Sequence, residues 1–383
     1  MRPFEAEEYA SRLERLQAGL AAAGIDGVLL TETANFEYVT GHVERVMWTS
    51  MTRILAVWVP AAGRPTLLVP TYVKDVAAED TGWEVRDYGR IDRPPIDELV
   101  ALIRDGGRRR RIGLELAGES RLGMAATTLR ALEDALAGTE LVDGAAVLWD
   151  VRIRKSPAEI ERLRRACAAN TAGFATIFAG SLEGRLEDDV ARDLERAAHA
   201  AGEGWGGWTQ PGWVAMTSGT GHYHRFMGHP RPRRIERGDM VWADLGVTVD
   251  GYWSDYCRAA VVGGPTQQQR DRQARILEAT AAGIELARPG RRASEVAGAV
   301  GDALVRLGLP NFGFGRVGHG IGLTATEPPS VARHDDTVLE AGMVITVEPA
   351  SVEDDGIYCA EQIVVVGDPP EILSTAPTAL SSV

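Results

Sequence analysis

Two segments of the chain place acidic residues inside apolar, strand-like runs, and this pattern restricts the possible folds more than any other feature. Asp244 and Asp255 flank an Asp-Gly dipeptide in DLGVTVDGYWSD, and Glu348 and Glu361 flank a second one in EPASVEDDGIYCAE. An Asp-Gly dipeptide between apolar residues is a strong signal for a β-hairpin. The sequence therefore predicts two β-hairpins that present two pairs of acids in the same way.

The sequence around these acids favours burial over exposure. Taken singly, each acid is more often a surface residue, because Asp and Glu are mostly exposed in folded proteins. However, Asp244 follows MVWA, Glu348 follows MVITV and Glu361 precedes QIVVV. Buried acids without partners are too costly to be incidental. The repeated hairpin also suggests an internal duplication with pseudo-twofold symmetry.

Metal ions would explain why four acids share an apolar environment. Carboxylates in one cavity repel one another, and burial raises their pKa values until some of them bind protons. Divalent cations remove that repulsion. His319 of RVGHGIGL completes a set of five oxygen and nitrogen ligands, which suits two metal ions about 3.5 to 4 Å apart that share a bridging hydroxide. This ligand set suits Mn, Co, Zn or Fe, and we favour Mn.

The first 150 residues have a different pattern from the rest of the chain. Helix-like runs alternate with the strand-like runs GVLLT, ILAVWVP, PTLLVP, IGLEL and AAVLWDV, whereas TANFEYVTGH at 33–42 is predicted to be a loop. Such alternation is typical of an α/β domain. In RKSPAEIERLR, Ser156 can cap a helix that has Pro157 at its first position. We therefore predict two domains, 1–150 and 151–383.

The second domain is predicted to be α+β. Amphipathic helices are expected at 186–201, 266–288 and 293–307, with strands between and after them. The acid-bearing hairpins belong to this half of the chain, and the first half has no cluster of acids and histidines. Any catalytic chemistry is therefore expected in the second domain.

Charge and cysteine content narrow the partners and the compartment. The net charge of -13 over 383 residues disfavours nucleic acid and anionic membranes as partners, because both would repel an acidic surface. Three scattered cysteines, Cys167, Cys257 and Cys359, form neither a disulfide framework nor a zinc motif. The sequence has no signal peptide and no apolar run of membrane-spanning length. We therefore expect a cytoplasmic protein that binds neither nucleic acid nor a membrane.

These motifs resemble those of the pita-bread metallopeptidases, the group that holds methionine aminopeptidase, prolidase and aminopeptidase P. The resemblance rests on DLGVTVDGYWSDYCR, GHGIGL, GMVITVEPA and the late Glu361. The preceding α/β domain and RKSPAEIERLR are similar to the two-domain arrangement of prolidase, aminopeptidase P and creatinase. This implies a creatinase-like N-terminal α/β domain, followed by an α+β pita-bread catalytic domain with pseudo-twofold symmetry.

The resemblance also implies a reaction. Asp244, Asp255, His319, Glu348 and Glu361 would bind two divalent metal ions, with Asp255 and Glu361 as the bridging candidates. Glu348 would act as general acid and base. The expected activity is that of an Xaa-Pro dipeptidase or aminopeptidase P, which cleaves an amide bond of a short peptide by means of a metal-bridging hydroxide. A homodimer is expected from the resemblance alone.

Three positions depart from the pattern of this family. Thr326 stands where a second histidine is usual, Cys257 where threonine is usual, and Cys359 where prolidase-like members often have arginine. Side chains two residues apart on a strand share a face, so both thiols are expected to share the cavity with the acids, unless they are small buried residues. These departures point to an altered substrate.

Several further residues are predicted to meet the substrate. Three histidines lie in GHYHRFMGHP, and the preceding EGWGGWTQPGW carries Trp205, Trp208 and Trp213, which either line a pocket or pack in the core. The histidines are otherwise a separate metal site or part of an ordinary surface loop. We favour His224 as a catalytic contact. The other candidates for substrate binding are His222, His229, Thr326, Trp213 and Arg258.

Two alternatives stay open. The first is a non-peptidase of the same fold that acts on a small molecule, as ectoine hydrolase, creatinase and dimethylsulfoniopropionate lyase do, and Thr326 and Cys359 favour it. The second is a binding protein without catalytic activity, which the retention of all five ligands disfavours. Turnover of peptides, turnover of small C-N or sulfonium compounds, or metal binding with no turnover would separate the three hypotheses.

Overall fold

The chain forms two compact units, Met1–Arg152 and Ile153–Val383, in a computed structural model. The structure describes residues 3–44, 50–116, 118–204, 209–309 and 315–383. Each unit has its own cluster of buried apolar side chains. Among the described residues, no helix combines the length and the apolar character needed to cross a membrane.

The first unit alternates helices and strands around one sheet. Its elements are α1 (Ala6–Ala22), β1 (Gly27–Leu30), α2 (Thr33–Thr40), β2 (Ala56–Pro60), β3 (Thr66–Pro70), α3 (Lys74–Thr81), β4 (Glu84–Tyr88), α4 (Ile96–Arg104), β5 (Arg111–Leu114), α5 (Ala126–Ala135), β6 (Glu140–Asp143) and α6 (Ala145–Arg152). The sheet has the order β4-β3-β2-β1-β5-β6. Strand β2 runs antiparallel to β1 and β3, and the other neighbours are parallel. The predicted α/β class is confirmed.

The strands β1, β2 and β3 are buried along their whole length. Their sequences GVLL, AVWVP and TLLVP are almost continuously apolar, as expected for strands with both faces covered. Helix α4 contributes Leu99, Leu102 and Ile103 to the same core. Spacings of three and four residues place these side chains on one face of the helix.

The predicted loop at 33–42 is wrong, because most of this segment is helix α2. The side chain of Glu32 accepts a hydrogen bond from the backbone N–H of Asn35 and so caps the helix. At the other end, Gly41 adopts a left-handed conformation, with φ of 70°. Glutamate is not among the residues that usually begin a helix. The sequence therefore gave little warning of this helix.

The predicted strand AAVLWDV is also wrong, because it forms helix α6. Ala145, Leu148, Trp149 and Arg152 are buried, and their spacing of three and four residues is that of one helical face. A short apolar run does not distinguish a buried strand from a buried helix. Packing of this face in the first unit decides between them.

A buried glutamate organises the polar interior of the first unit. Glu115, which follows β5, is 2% exposed. Its carboxylate accepts hydrogen bonds from the backbone N–H groups of Thr31 and Glu32 and from the side-chain amide of Asn35, at 2.7 to 3.0 Å. The Oδ1 atom of Asn35 in turn accepts a hydrogen bond from Arg152. This acid has a structural role, since it ties α2 to the end of β5.

The second unit combines long helices with antiparallel strands. Its elements are α7 (Pro157–Ile177), α8 (Glu187–Glu203), β7 (Thr209–Ser218), β8 (Met240–Val249), β9 (Tyr252–Val261), α9 (Gln267–Glu285), α10 (Ala293–Arg306), β10 (His319–Gly320), β11 (Glu327–Ser330), β12 (Val344–Val347), β13 (Ala350–Glu353), β14 (Gly356–Cys359), β15 (Gln362–Val365), β16 (Glu371–Ile372) and β17 (Ser381–Ser382). Ser156 and Glu159 form the predicted capping box of α7. The helices predicted at 186–201, 266–288 and 293–307 are confirmed as α8, α9 and α10.

The two halves of the second unit repeat one arrangement. Helices α7 and α8 pack together and contact β8, and helices α9 and α10 also pack together, with α9 against β12 and β14. The strands β7, β8, β9 and β17 form one sheet, whereas β10, β11, β12, β15 and β16 form another. Two helices on an acid-bearing β-hairpin thus occur twice, in agreement with the predicted pseudo-twofold symmetry.

The first acid-bearing hairpin consists of β8 and β9, joined by the predicted Asp-Gly turn. Asp250 and Gly251 have φ of 52° and 84°. Positive φ at both residues is the conformation that a two-residue turn of this type requires. All residues of β8 are buried, which explains the apolar MVWA before Asp244.

The second hairpin differs from the first in two respects that the sequence did not predict, its turn and the continuity of its strands. Strands β13 and β14 are joined by Asp354 and Asp355, so Gly356 is the first residue of a strand and not part of the turn. The pairing of β12 with β15 and of β13 with β14 is interrupted between them. Glu348 and Glu361 lie in this interruption, whereas Asp244 and Asp255 lie within continuous strands.

Candidate metal centre

A cavity of about 460 Å³ in the second unit collects the acids that the sequence singled out. It is lined by all five predicted ligands, together with Thr326 and Trp213. The five ligands are Asp244, Asp255, His319, Glu348 and Glu361. Residues that are more than one hundred positions apart in sequence therefore share one wall.

The register of the first hairpin places its two acids side by side. Asp244 pairs with Cys257, and Asp255 pairs with Gly246. Side chains alternate between the two faces of a strand, so a diagonal offset of two residues leaves Asp244 and Asp255 on the same face. Both are buried, with 5% and 7% of their surface exposed.

His319 is held by its own backbone environment. Its Nδ1 atom lies 2.9 Å from the carbonyl oxygen of Gly320. A proton on Nδ1 would donate to this oxygen and leave Nε2 as the acceptor, which is the usual arrangement of a histidine that binds a metal. A Cβ atom at Gly318 would lie 2.0 Å from the carbonyl oxygen of Thr346, and one at Gly320 would lie 2.1 Å from that of Pro328. The strands can therefore approach His319 only because both neighbours are glycine.

The nitrogen of this histidine faces the carboxylates. Its Nε2 atom lies 3.5 Å from Oε1 of Glu348 and 3.7 Å from Oδ2 of Asp255. Ligand atoms of Asp255, His319 and Glu361 all lie within 4.8 Å of one another. These three side chains are buried and form a compact group of two oxygens and one nitrogen.

Electrostatic repulsion within the group is strong. Burial raises the pKa of Asp244 to about 7, and the charge of Glu348 adds to this rise. Burial also raises the pKa of Asp255 and of Glu361 well above their usual range, and the charges of the neighbouring acids act in the same direction. Without a cation, these carboxylates would hold protons near neutral pH.

The hydrogen bonding of the acids fits a metal site. Oδ1 of Asp244 and Oε1 of Glu361 are buried and have no hydrogen-bond partner among the described residues. Buried polar atoms normally have a partner. Oxygen atoms without donors, together with one imidazole nitrogen, are the ligands that divalent Mn, Co, Zn or Fe prefer. The residues present therefore fit divalent metal ions.

The two cysteines that depart from the family pattern lie in this cavity. Cys257 and Cys359 both line it and are 1% and 4% exposed. A hydrogen bond to Cys257 and burial together raise the pKa of the Cys359 thiol. Thr326 lines the same cavity. The three positions that depart from the family pattern are thus part of the cavity wall.

Aromatic side chains form a second, apolar wall. Trp213 and Trp242 line the cavity together with Phe226. Trp213 stacks on Trp253 with 5.0 Å between ring centroids, and Phe226 lies 4.8 Å from Trp242. The predicted role of Trp213 in lining a pocket agrees with this position, whereas Trp205 and Trp208 lie outside the described residues.

The structure does not bring the three predicted histidines into the cavity. His222, His224 and His229 are not among the described residues that line it. His224 and His229 are exposed, and Nδ1 of His222 lies 3.5 Å from the guanidinium of Arg231. The loop does reach the cavity, but through Phe226, which the sequence analysis did not select. In HYHRF the histidines are residue types typical of substrate contacts, whereas nothing in the sequence distinguishes Phe226 from an ordinary apolar residue.

Arg258, a predicted substrate contact, is not among the described residues that line the cavity. This side chain is buried, and it donates hydrogen bonds to the carbonyl oxygens of Ala376, Cys257 and Glu361 at 2.6 to 3.0 Å. Side chains alternate along a strand, so Arg258 points away from the face that carries Cys257. Its contacts fix the backbone of a predicted ligand and leave no donor directed at a substrate.

Five further residues line the cavity, and the sequence pattern does not single them out. Phe226, Met227, Trp242, Arg316 and Ala325 line the cavity, and none of them was predicted to do so. The only available signal was proximity in sequence, since Arg316 precedes His319 by three residues and Ala325 precedes Thr326. Which of many apolar residues faces a cavity depends on tertiary packing, which the sequence pattern does not specify.

Comparisons with known proteins agree with this geometry. The sequence model of metallopeptidase family M24 matches residues 161–368, and that of the creatinase/prolidase N-terminal domain matches residues 12–154. The probable dipeptidase PepE of Mycobacterium tuberculosis is 31% identical over 392 residues, which cover 99% of each chain. These matches confirm the resemblance predicted from the sequence.

Solved structures give the same result for the fold. Dipeptidase PepE from Mycobacterium ulcerans superposes with a TM-score of 0.85 at 29% identity and covers 99% of both chains. An Xaa-Pro dipeptidase from Bacillus anthracis superposes with a TM-score of 0.83 at 25% identity, over 98% of this chain and 100% of that one. The predicted creatinase-like domain and pita-bread catalytic domain are thereby confirmed. The chain belongs to metallopeptidase family M24.

Proposed function

We propose that the chain is a dipeptidase that uses two divalent metal ions to hydrolyse the amide bond of a short peptide. Xaa-Pro dipeptides are the first substrates to test. The proposal rests on one observation, the convergence of Asp255, His319 and Glu361 within 4.8 Å beside buried carboxylate oxygens that lack hydrogen-bond donors. Relatives named as a dipeptidase and as an Xaa-Pro dipeptidase support the same reaction.

The metal ions would be held by Asp244, Asp255, His319, Glu348 and Glu361. When bound, divalent ions supply Lewis-acid polarisation of a carbonyl group and lower the pKa of water. We favour Mn because the set contains four carboxylates and one imidazole. Gly320 contributes by orienting His319 through its carbonyl oxygen.

Glu348 is our candidate for the general acid and base. Its side chain is 28% exposed, whereas Asp244, Asp255 and Glu361 are buried. It can therefore exchange protons with solvent while it contacts the other ligands. Glu348 would take a proton from the attacking water and pass it to the leaving nitrogen.

The aromatic wall would contribute binding energy and exclude water. Trp213, Phe226 and Trp242 offer apolar surface in the same cavity as the acids. An apolar side chain or a proline ring would bury this surface, and each Å² of apolar area removed from water contributes roughly 25 cal/mol. We therefore expect a preference for apolar residues next to the cleaved bond.

The experiment is a substrate panel with purified protein supplied with Mn²⁺, Co²⁺ or Zn²⁺. Xaa-Pro dipeptides, other dipeptides and tripeptides are compared by kcat/KM. We expect Asp255→Asn to lower kcat/KM at least about 100-fold, because charge stabilisation at a metal centre contributes several kcal/mol to the transition state. Asp302→Asn, which changes an exposed aspartate of α10 (77% exposed side chain), serves as the matched control and should match wild type.

Either of two results would contradict this proposal. If no peptide is cleaved with any of the three metals, or if Asp255→Asn cleaves peptides as well as wild type does, the chain is not a metal-dependent dipeptidase. Measurement of metal content in both proteins separates loss of metal from loss of catalysis.

The second candidate function is hydrolysis or elimination on a small molecule by the same fold. Thr326 and Cys359 favour it, because both line the cavity at positions where the family usually offers histidine and arginine. The same assay therefore includes small C-N and sulfonium compounds. Turnover of these compounds without turnover of peptides would select the second candidate.

A further inference from the structure

One of the described residues that line the cavity has a guanidinium side chain. Arg316 lines the cavity together with the acids and is half-buried. No other lysine or arginine of the described residues lines this cavity. Arg316 lies three residues before His319, so it sits next to the proposed metal centre without being one of its ligands.

The guanidinium of Arg316 has no hydrogen bond and no ion pair with any residue that the structure describes. Other partly buried arginines of the second unit are paired. Arg233 lies 2.6 Å from Asp239, and Arg231 lies 3.3 Å from Glu187. A guanidinium carries five N–H donors, and leaving them without acceptors in a partly buried position is costly. Arg316 is therefore available to an acceptor that comes from a ligand.

Charge balance indicates which ligand would suit it. Four ionised carboxylates and two divalent cations cancel, since the charges of Asp244, Asp255, Glu348 and Glu361 sum to -4 and those of the ions to +4. A bridging hydroxide would add one negative charge at the ions, and Arg316 is the one lysine or arginine among the described residues of the cavity wall, so it offers a separate positive charge to an anionic group of a ligand. A planar guanidinium pairs best with a carboxylate, which it can bind through two parallel hydrogen bonds.

We propose that Arg316 binds a carboxylate of the substrate and thereby selects peptides that carry a free carboxylate close to the cleaved bond. This inference rests on the proposed dipeptidase function. Two sources supply the same group, the C-terminal carboxylate of a dipeptide and the side chain of an acidic residue. Arg316 is a specificity-determining residue in either case, and the experiment distinguishes the sources.

The test uses matched pairs of substrates with the metal-loaded protein. Ala-Pro is compared with Ala-Pro amide, and Glu-Pro with Gln-Pro, in wild type, Arg316→Met and Arg316→Lys. A hydrogen-bonded charge pair contributes about 1.5 to 3 kcal/mol, so Arg316→Met should raise KM for the carboxylate substrate about 10- to 100-fold and change kcat by less than about threefold. If the C-terminal carboxylate is the ligand, KM for Ala-Pro amide should not change; if the acidic side chain is the ligand, KM for Gln-Pro and for both Ala-Pro substrates should not change. Arg316→Lys should restore part of the loss.

The pair that responds identifies the source of the carboxylate. An effect on Ala-Pro against its amide assigns the C-terminal carboxylate, and an effect on Glu-Pro against Gln-Pro assigns the side chain. Equal changes for both members of both pairs, or no change, would overturn the proposal. Arg333→Met is the matched control, because Arg333 is 63% exposed and pairs with Asp302 outside the cavity.

A binding measurement separates this inference from the proposed function. Calorimetry with uncleavable Ala-Pro and Glu-Pro analogues, in which a methylene group replaces the scissile carbonyl, compares Ala-Pro acid with amide and the Glu form with the Gln form. Discrimination that is lost in Arg316→Met supports the carboxylate site even if no peptide is hydrolysed. Hydrolysis of peptides with unchanged discrimination in both Arg316 variants would leave the dipeptidase function standing and overturn the role of Arg316. If Arg316→Met does not fold, full discrimination in Arg316→Gln overturns it equally.

Discussion

Both units bury carboxylates, but they satisfy them differently. In the first unit, Glu115 accepts hydrogen bonds from two backbone N–H groups and from Asn35. In the cavity of the second unit, Oδ1 of Asp244 and Oε1 of Glu361 have no partner among the described residues. Burial alone therefore does not distinguish these acids. Those of the cavity differ in having buried oxygen atoms without donors next to other carboxylates.

The pKa values reinforce this distinction only when their causes are considered. Burial raises the pKa of Glu115 to about 7 and also that of Asp244 to about 7. For Glu115, hydrogen bonds from Thr31 and Asn35 act against the rise, whereas for Asp244 the charge of Glu348 adds to it. Burial is thus the main cause of the raised pKa in both units, but hydrogen bonds oppose it at Glu115, whereas repulsion from Glu348 adds to it at Asp244.

Another buried acid, Glu327, is neutralised by a cation of the chain itself. Glu327 lies 2.9 Å from Nζ of Lys155, and both side chains are almost completely buried. Glu327 also accepts hydrogen bonds from Thr324 at 3.1 and 3.2 Å. The chain itself therefore supplies the cation here, immediately next to Thr326 of the cavity wall.

The largest expected effect on stability concerns this ion pair. Lys155→Met should lower the free energy of unfolding by about 3 to 5 kcal/mol, because it leaves a buried carboxylate without its cation. Denaturant unfolding of the purified variant measures this change. Lys74→Met removes an ion pair with Asp87 in which the lysine side chain is 44% exposed. This substitution should lower the free energy of unfolding by at most about 1 kcal/mol. Equal losses in the two variants would contradict the distinction between buried and exposed pairs.

A smaller effect is expected at Glu115. Glu115→Gln should lower the free energy of unfolding by about 1 to 3 kcal/mol. The amide of glutamine has an NH₂ group in place of one carboxylate oxygen, and this group cannot accept the hydrogen bonds that Glu115 accepts. The measurement is again denaturant unfolding, with Glu133→Gln at an exposed position of α5 as the control. A variant as stable as wild type would show that Glu115 is not a structural acid.

The pH dependence of stability gives the smallest effect. Because burial raises the pKa of Glu115 from 4.5 to about 7, the folded protein binds this proton more tightly than the unfolded chain does. This contribution is fully present below pH 4.5 and is lost as the pH rises through about 7. Between pH 6 and pH 7 the loss amounts to about 1 kcal/mol. Glu115→Gln should remove this component, and an unchanged pH dependence in the variant would contradict the assignment.

Sequence reasoning worked where a local pattern decides the structure. The Asp-Gly turn at Asp250 and the cap at Ser156 each have a local physical cause, and the structure contains both. The acids were found because they interrupt apolar strands. Helix α6 was misassigned because a seven-residue apolar run fits both a buried strand and a buried helix.

The remainder of the site depends on tertiary packing. Phe226 and Arg316 reach the cavity from two different loops, and no pattern in the sequence relates these loops to each other. His224 shares a loop with Phe226 but faces solvent. The direction of a loop side chain is set by contacts distant in sequence, so residue type alone does not decide which side chain of this loop lines the cavity.

The central claim is that Oδ1 of Asp244 and Oε1 of Glu361 lack hydrogen-bond donors because metal ions are their partners. The most direct test measures the free energy of unfolding of wild type and Glu361→Gln, first without metal and then with Mn²⁺ at about 100 times its Kd for wild type. We predict that near neutral pH metal-free Glu361→Gln is more stable than metal-free wild type, because glutamine avoids the cost of either ionising or protonating a buried acid whose pKa is raised. Mn²⁺ should stabilise wild type by about 2.7 kcal/mol and the variant far less. A metal-free variant less stable than wild type, together with equal stabilisation of both by Mn²⁺, would contradict the claim.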